Sequence, residues 1–255
     1  MILEKTDIAA GPGAVAFSTL RGSGYRPGRP YSGFSACHYT GDTPEHVHEC
    51  REALCRFLDI APDRLIIPRQ THSARVTVIS EIPATTEQPD GTDALVTRLR
   101  GVALCINTAD CAPMVLNDPA AGVIGICHSG WRGTVARIAA RTVESMVALG
   151  ADPRRIVAAF GPMICRECFE VGEEVAERFD REFPDAGTVD RTRVKPRIDL
   201  LKALHITLTE VGVPAENIAP QSAGCPRCPG ADSRYFSARR LGIESGRTLT
   251  VIIRD

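Results

Sequence analysis

The chain has 255 residues, a formal net charge of −1 and an apolar fraction of 44%. Length and apolar share suit a soluble globular protein with a sizeable core. A charge near zero, with arginines interleaved among acids, leaves no footprint for nucleic acid or an anionic membrane.

Glu4, Lys5 and Asp7 interrupt any apolar run at the N-terminus, so no signal peptide is read there. No stretch of about 18 apolar residues is present to span a bilayer. The expected location is cytoplasmic.

Residues 21–30, rich in Gly, Pro and Arg, read as a surface loop. The spacing of Val47, Leu54, Phe57 and Leu58 predicts a helix over Pro44–Leu58. Thr43 serves as its N-cap and Pro44 as N1. Strands are predicted over Arg75–Ser80, with Val76 and Val78 on one face, and over Val102–Asn107. Gly122–Cys127 fits a buried strand.

Val135, Ile138, Thr142, Met146 and Leu149 form one stripe of a long helix over Thr134–Leu149, ended by Gly150. Ile156–Phe160 is a strand, Phe169–Glu182 and Asp199–Val211 are helices, and Thr248–Ile253 is a closing strand. Asp199 is a good N-cap. Strands and helices mix throughout, with no dividing linker. One α+β domain over residues 1–255, with mixed sheets flanked by helices, is the expected fold.

Ten cysteines are many for a reducing compartment, where they serve as thiols, ligands or reactive groups. Cys37, Cys50, Cys55, Cys105 and Cys127 are expected to fill apolar space. Cys165-x-x-Cys168 and Cys225-x-x-Cys228 have ligand spacing, but the gap between the pairs far exceeds that of a zinc ribbon. Whether they bind a second metal stays open.

Three segments place a metal donor at the rim of a predicted strand: Arg69–Ser73 with His72, Asn107–Cys111 with Cys111, and Cys127–Gly133 with His128. Two histidines and a thiolate can hold zinc and leave its fourth position for water or substrate. Spacing alone favours ordinary surface or core histidines, since no compact motif such as His-Glu-x-x-His supports the set.

Around these residues stand Gln70-Thr71-His72, Thr92-Asp93-Ala94-Leu95-Val96-Thr97, Thr108-Ala109-Asp110-Cys111-Ala112-Pro113 and His128-Ser129-Gly130-Trp131-Arg132-Gly133. Further along come Phe160-Gly161-Pro162, Phe169-Glu170-Val171-Gly172 and Tyr235-Phe236-Ser237-Ala238-Arg239-Arg240. These words, in this order and across nearly the whole chain, resemble the laccase-domain or polyphenol oxidase family, the YfiH/YlmD purine nucleoside phosphorylases.

The resemblance implies a fold shared with putative cysteine hydrolases and a zinc site of His72, Cys111 and His128. It also implies phosphorolysis of adenosine, guanosine or inosine, cleavage of methylthioadenosine, and deamination of adenosine. Purine nucleosides and phosphate would be the partners. Ser129 stands where the family usually has Ala, and Ser35 where a loop Asn is common; these departures bear on substrate preference.

Within that reading, Arg132 and the helix N-terminus near Thr134 are the preferred phosphate contact, with Arg69 second. A surface ion pair is the ordinary alternative for either arginine. Deamination calls for a carboxylate that is not a ligand. Asp110 adjoins Cys111, but neighbours on an extended chain point oppositely, which suits it to orienting a ligand or binding backbone. Asp93 is the other candidate, and a turn-end hydrogen bond is its ordinary alternative.

Three rival functions remain. A multicopper oxidase needs many histidines, whereas the chain has six and only His46-x-His48 in paired spacing. Copper could nonetheless replace zinc at the proposed ligands. A metal-free hydrolase would use Cys111 as nucleophile and His128 as base. A binding protein that keeps the fold is the third.

Overall fold

The computed structural model describes residues 2–82, 88–221, 223–231 and 234–254. The strands are β1 (Lys5–Ile8), β2 (Ala14–Thr19), β3 (Leu65–Ile66), β4 (Val76–Ile79), β5 (Ala94–Thr97) and β6 (Ala103–Thr108). They continue with β7 (Ala112–Asp118), β8 (Val123–Ser129), β9 (Val157–Phe160), β10 (Val189–Asp190), β11 (Arg197–Ile198) and β12 (Thr248–Arg254). The helices are α1 (Pro44–Leu58), α2 (Trp131–Val135), α3 (Ile138–Ala148), α4 (Glu173–Glu182), α5 (Leu200–Glu210) and α6 (Ala238–Leu241).

One five-stranded sheet runs β1-β2-β12-β6-β3 and a second runs β4-β5-β8-β7-β9. Each is antiparallel except for one parallel pair, β3–β6 in the first and β4–β5 in the second. The sheets pack face to face through Ile66, Leu104, Ile106 and Ile252 on one side and Leu95, Val115, Ile124 and Ile126 on the other. Helix α1 covers the outer face of the first sheet, setting Cys50, Ala53 and Leu54 against Phe17, Cys105 and Val251. Helices α3 and α5 cover the second, with Ile138, Val143 and Met146 beside Leu204 and Leu208. The result is a helix–sheet–sheet–helix stack, an α+β fold with mixed sheets.

This layering explains which strands the sequence displayed. Strands β6, β7 and β8 are buried along their whole length because both faces are covered. Such strands lose polar alternation. For that reason β7, which opens Ala112-Pro113, escapes a pattern search, and β5 shows only as part of a motif. At the sheet edge, β4 buries Ile79 and exposes Val78, so of the apolar face expected there only Val76 packs against the core.

The caps form as predicted. The Thr43 hydroxyl accepts from the His46 amide at 3.3 Å, and Asp199 accepts from the Lys202 amide at 2.9 Å. Two helix expectations are corrected. The long helix over 134–149 is broken into α2 and α3, because Arg137 adopts a left-handed conformation at φ 58°. There its guanidinium lies over the Phe183 ring and bonds Glu182 and Glu210, a tertiary gain that offsets local strain. The helix expected from Phe169 starts only at Glu173. Residues 169–171 instead pair with 196–198, through Val171 N–H to Pro196 O at 2.9 Å and Ile198 N–H to Phe169 O at 3.1 Å. No helix among the described residues is long and apolar enough to cross a membrane.

Candidate metal centre

The two sheets are joined where the chain leaves β6 and enters β7. Cys111 sits on that crossover, next to Asp110 at φ 94°. His128 is the penultimate residue of β8 and pairs in register with Pro113 of β7. His72 lies in the turn before β4, left-handed at φ 58°. Register and sheet packing therefore bring three distant segments to one rim.

The donor atoms of His72, Cys111 and His128 all lie within 4.8 Å of one another. Cys111 Sγ is 3.9 Å from His72 Nε2. The two imidazoles meet edge to face at 4.8 Å and 78°. His128 is buried, Cys111 half-buried and His72 exposed, so the set opens on the His72 side. This is an arrangement that zinc or copper accepts, with room for one more ligand.

Asp93 is buried and locks the set from behind. Its carboxylate faces His128 Nδ1 at 2.8 Å, which leaves Nε2 as the nitrogen turned toward Cys111. It also accepts from the amides of Thr71, His72 and Ser73 at 3.2, 3.0 and 2.7 Å, and from the Ser73 hydroxyl at 2.7 Å. One carboxylate thus fixes both the imidazole of one candidate ligand and the turn that carries another.

Burial raises the Asp93 carboxyl, but the hydrogen bonds from His128 and Ser73 outweigh it and hold the group at about 2. Burial likewise raises the Cys111 thiol, yet the His128 charge and both imidazoles bring it down to about 6. Burial lowers His128, and the Cys111 and Asp93 charges overcome this and raise it to about 9. A thiolate is thus favoured at neutral pH, the form a metal requires.

Gly130 explains how the donors approach so closely. A Cβ there would lie 2.9 Å from Cys111 Sγ and 3.1 Å from His72 Cδ2. Gly130→Ala is therefore expected to push the sulfur and imidazole apart. Equilibrium dialysis should show metal affinity down by roughly 10–100-fold, the cost typical of disturbing ligand orientation. Unchanged affinity would mean that the ligands relax freely.

The donors stand between two lobes of one groove. An aromatic lobe of about 260 Å³ is lined by Trp131, Phe169, Ile164 and Leu200 together with Arg132 and Arg239. A polar lobe of about 350 Å³ is lined by Tyr39, Gln70, Asn107, Glu244 and Arg247. Both lobes reach His72 and Cys111.

The candidate residues divide accordingly. Arg132 lines the aromatic lobe, its guanidinium 4.4 Å above the Trp131 ring. The helix N-terminus expected near Thr134 is that of the five-residue α2, whose first helical bond runs from the Thr134 amide to Gly130 O at 2.9 Å. Arg69 lies outside both lobes and pairs with Asp90 at 3.5 Å. Asp93 lines neither lobe.

Asp110 lines the aromatic lobe beside Cys111. The expectation that the two side chains diverge assumed an extended chain, whereas the left-handed backbone of Asp110 turns it toward the same cavity. Its Oδ2 accepts from the Arg239 amide at 2.8 Å. Burial raises this carboxyl, against the Ser237 hydroxyl and the Arg239 amide.

Sequence reasoning missed Arg239, Gln70, Asn107, Tyr39 and Arg247. Gln70 and Arg239 stood inside quoted motifs, so a signal was present. Gln70 is held by the Asn107 amide at 2.7 Å and Tyr39 by Gln70 at 3.1 Å, contacts that no local pattern announces. Ser35 accepts from the Arg247 amide at 3.0 Å and Ser129 meets the Thr134 hydroxyl at 2.8 Å. The first of these departures touches the wall of the polar lobe.

The remaining histidines stand elsewhere: His38 by Arg51, His46 by Asp42, His48 by Glu52, and His205 stacked on Phe160. The described residues therefore gather no histidine-rich copper cluster.

The chain with this fold and rim site belongs to a known family: residues 15–255 match the family described as multi-copper polyphenol oxidoreductase laccase. Among its relatives, an adenosine deaminase from an unknown prokaryote is 47% identical, covering 99% of this chain and 98% of that one. A purine nucleoside phosphorylase of Deinococcus radiodurans is 40% identical, with coverage of 92% and 87%. The crystal structure of YlmD from Geobacillus stearothermophilus superposes with a TM-score of 0.84 at 28% identity, covering 95% of this chain and 92% of that one.

Proposed function

We propose that this protein is a zinc-dependent purine nucleoside phosphorylase for adenosine, guanosine, inosine and methylthioadenosine that also deaminates adenosine. One observation carries the reading: His72, Cys111 and His128 converge at the waist of a groove with one aromatic and one polar lobe. The names of the relatives supply the substrate class.

Bound zinc would supply a Lewis acid with one open position. The chain's own residues do the rest. Phe169 and Trp131, carrying Arg239 at 5.3 Å and Arg132 at 4.4 Å over their rings, supply the apolar wall against which a purine would pack. Asn107 Oδ1, buried without a hydrogen-bond partner, offers an acceptor to a substrate amino or hydroxyl group. Arg132 and Arg239 bring positive charge to phosphate, and Asp110 is the candidate proton carrier beside the ligands.

In phosphorolysis a phosphate oxygen bonds to C1′ of the ribose, the bond from C1′ to N9 breaks, and the base takes up a proton. In deamination water adds at C6 and ammonia leaves. Asp93 acts through His128 in both, by fixing its orientation.

Chromatography of products from adenosine, with and without phosphate, tests this. Adenine with ribose-1-phosphate, formed only when phosphate is present, marks phosphorolysis; inosine marks deamination. Neither product from zinc-loaded protein would overturn the reading and favour a binding role.

A second reading is favoured by the line Asp93–His128–Cys111, which also suits a Cys–His hydrolase. Chelation separates the two. A zinc enzyme loses activity and regains it with zinc, whereas a thiol hydrolase ignores the chelator and is killed by iodoacetamide. Copper in place of zinc would add phenol oxidation as a side reaction.

A further inference from the structure

Away from the groove, a second donor cluster stands on the aromatic side of the molecule. Cys165 and Cys168 flank a tight turn, with the Cys168 amide donating to Cys165 O at 3.0 Å. Cys225 and Cys228 flank another, with the Cys228 amide on Cys225 O at 3.3 Å and the Arg227 amide on Cys225 Sγ at 3.4 Å. An amide donating to sulfur stabilises a thiolate.

The two turns face each other although about sixty residues separate them: Cys228 Sγ lies 3.9 Å from Cys165 Sγ and 3.7 Å from Cys168 Sγ. All four sulfurs lie within 4.8 Å of one another. Four thiolates bound at about 2.3 Å around a tetrahedral zinc stand roughly 3.8 Å apart. A disulfide needs sulfurs at about 2.0 Å, and all four thiols here are free.

We propose that Cys165, Cys168, Cys225 and Cys228 bind a second, structural zinc ion as a closed tetrathiolate site. Four protein ligands leave no position for substrate, so the ion does no chemistry. Its place in the fold gives it a role. The described residues of 223–231 contain no strand or helix, and among their ties is Arg240 to Pro226 O at 2.7 Å. The first cysteine pair is bracketed by Ile164 and Phe169, both of which line the aromatic lobe. The ion would clamp the 225–228 turn onto the segment that forms that wall.

This inference does not rest on the function proposed above, and metal counting on variants separates the two. Wild-type protein purified without chelator should carry two zinc ions per chain by elemental mass spectrometry. His72→Ala should keep one, and the double change Cys165→Ser with Cys228→Ser should also keep one. A mercurial titration of His72→Ala should release that last zinc in step with the cluster thiols.

The cysteine double variant could fail to fold, so a second measurement uses His72→Ala reconstituted with cobalt. A tetrathiolate site gives a strong near-ultraviolet charge-transfer band and tetrahedral visible bands. Loss of all zinc from His72→Ala with no cobalt bands overturns the proposal. So does peptide mapping that finds these cysteines as disulfides in metal-free protein. Two zinc ions retained in His72→Ala would instead count against His72 as a ligand and leave the tetrathiolate supported.

Discussion

His72→Ala is expected to abolish turnover and to remove one zinc per chain while leaving the protein folded. His72 is exposed, so its loss empties no core space. It is, however, one of the three donors that cluster at the groove among the described residues, and Cys111 and His128 alone fall short of the three protein ligands of a catalytic zinc. A fall in kcat/KM of about a thousandfold or more corresponds to roughly 4 kcal/mol of lost transition-state stabilisation. Activity assay, zinc analysis and thermal unfolding on one preparation check all three parts. Normal turnover with unchanged zinc would sink the ligand assignment.

The same variant sharpens the choice between a metal enzyme and a thiol enzyme. Cys111 is held at about 6 by its histidines, so the metal-free thiol is already largely ionised at neutral pH. Iodoacetamide should therefore label metal-free Cys111 quickly under either mechanism. What discriminates is protection: zinc should slow labelling of wild-type Cys111 far more than that of His72→Ala.

Asp93→Asn is expected to cost both stability and activity. The carboxylate receives four donors from residues 71–73 and faces His128 Nδ1. An amide replaces one acceptor oxygen by an NH₂ group, which then confronts amide or hydroxyl donors in a buried site. Leaving such donors unpaired beside a buried charged partner costs about 3 kcal/mol. For a chain of this size that lowers Tm by roughly 6–12 °C. With His128 no longer held, metal affinity should fall by about 10–100-fold.

The pH dependence has a definite sign. Folding holds the Asp93 carboxyl at about 2, below its ordinary 3.8, so the folded state favours the ionised form. That contribution is complete above the ordinary value and is lost as pH falls through about 2. The acid limb of the stability curve between these values should flatten in Asp93→Asn. An unaltered limb would show that other carboxylates dominate acid unfolding.

The amino-acid sequence by itself determined the features that depend on near neighbours. Thr43-Pro44 opens α1 and Asp199 opens α5, because a cap needs only a side chain and an amide three residues on. The strand-end positions of His72, Cys111 and His128 were readable too, since each donor abuts an apolar run inside a recognisable motif.

Tertiary structure decided the rest. The helix break at Arg137 depends on Glu182 and Glu210, which lie far along the chain. Asp110 faces the groove because a crossover between two sheets forces a left-handed turn, where alternation ceases to hold. Asp93 became the organiser of the site only once β5, β8 and the turn before β4 were placed together. The four cysteines are two local pairs in sequence and one cluster in space. Periodicity and capping act over a few residues, whereas register and sheet packing fix which distant rims meet, and the candidate site of this protein sits where they meet.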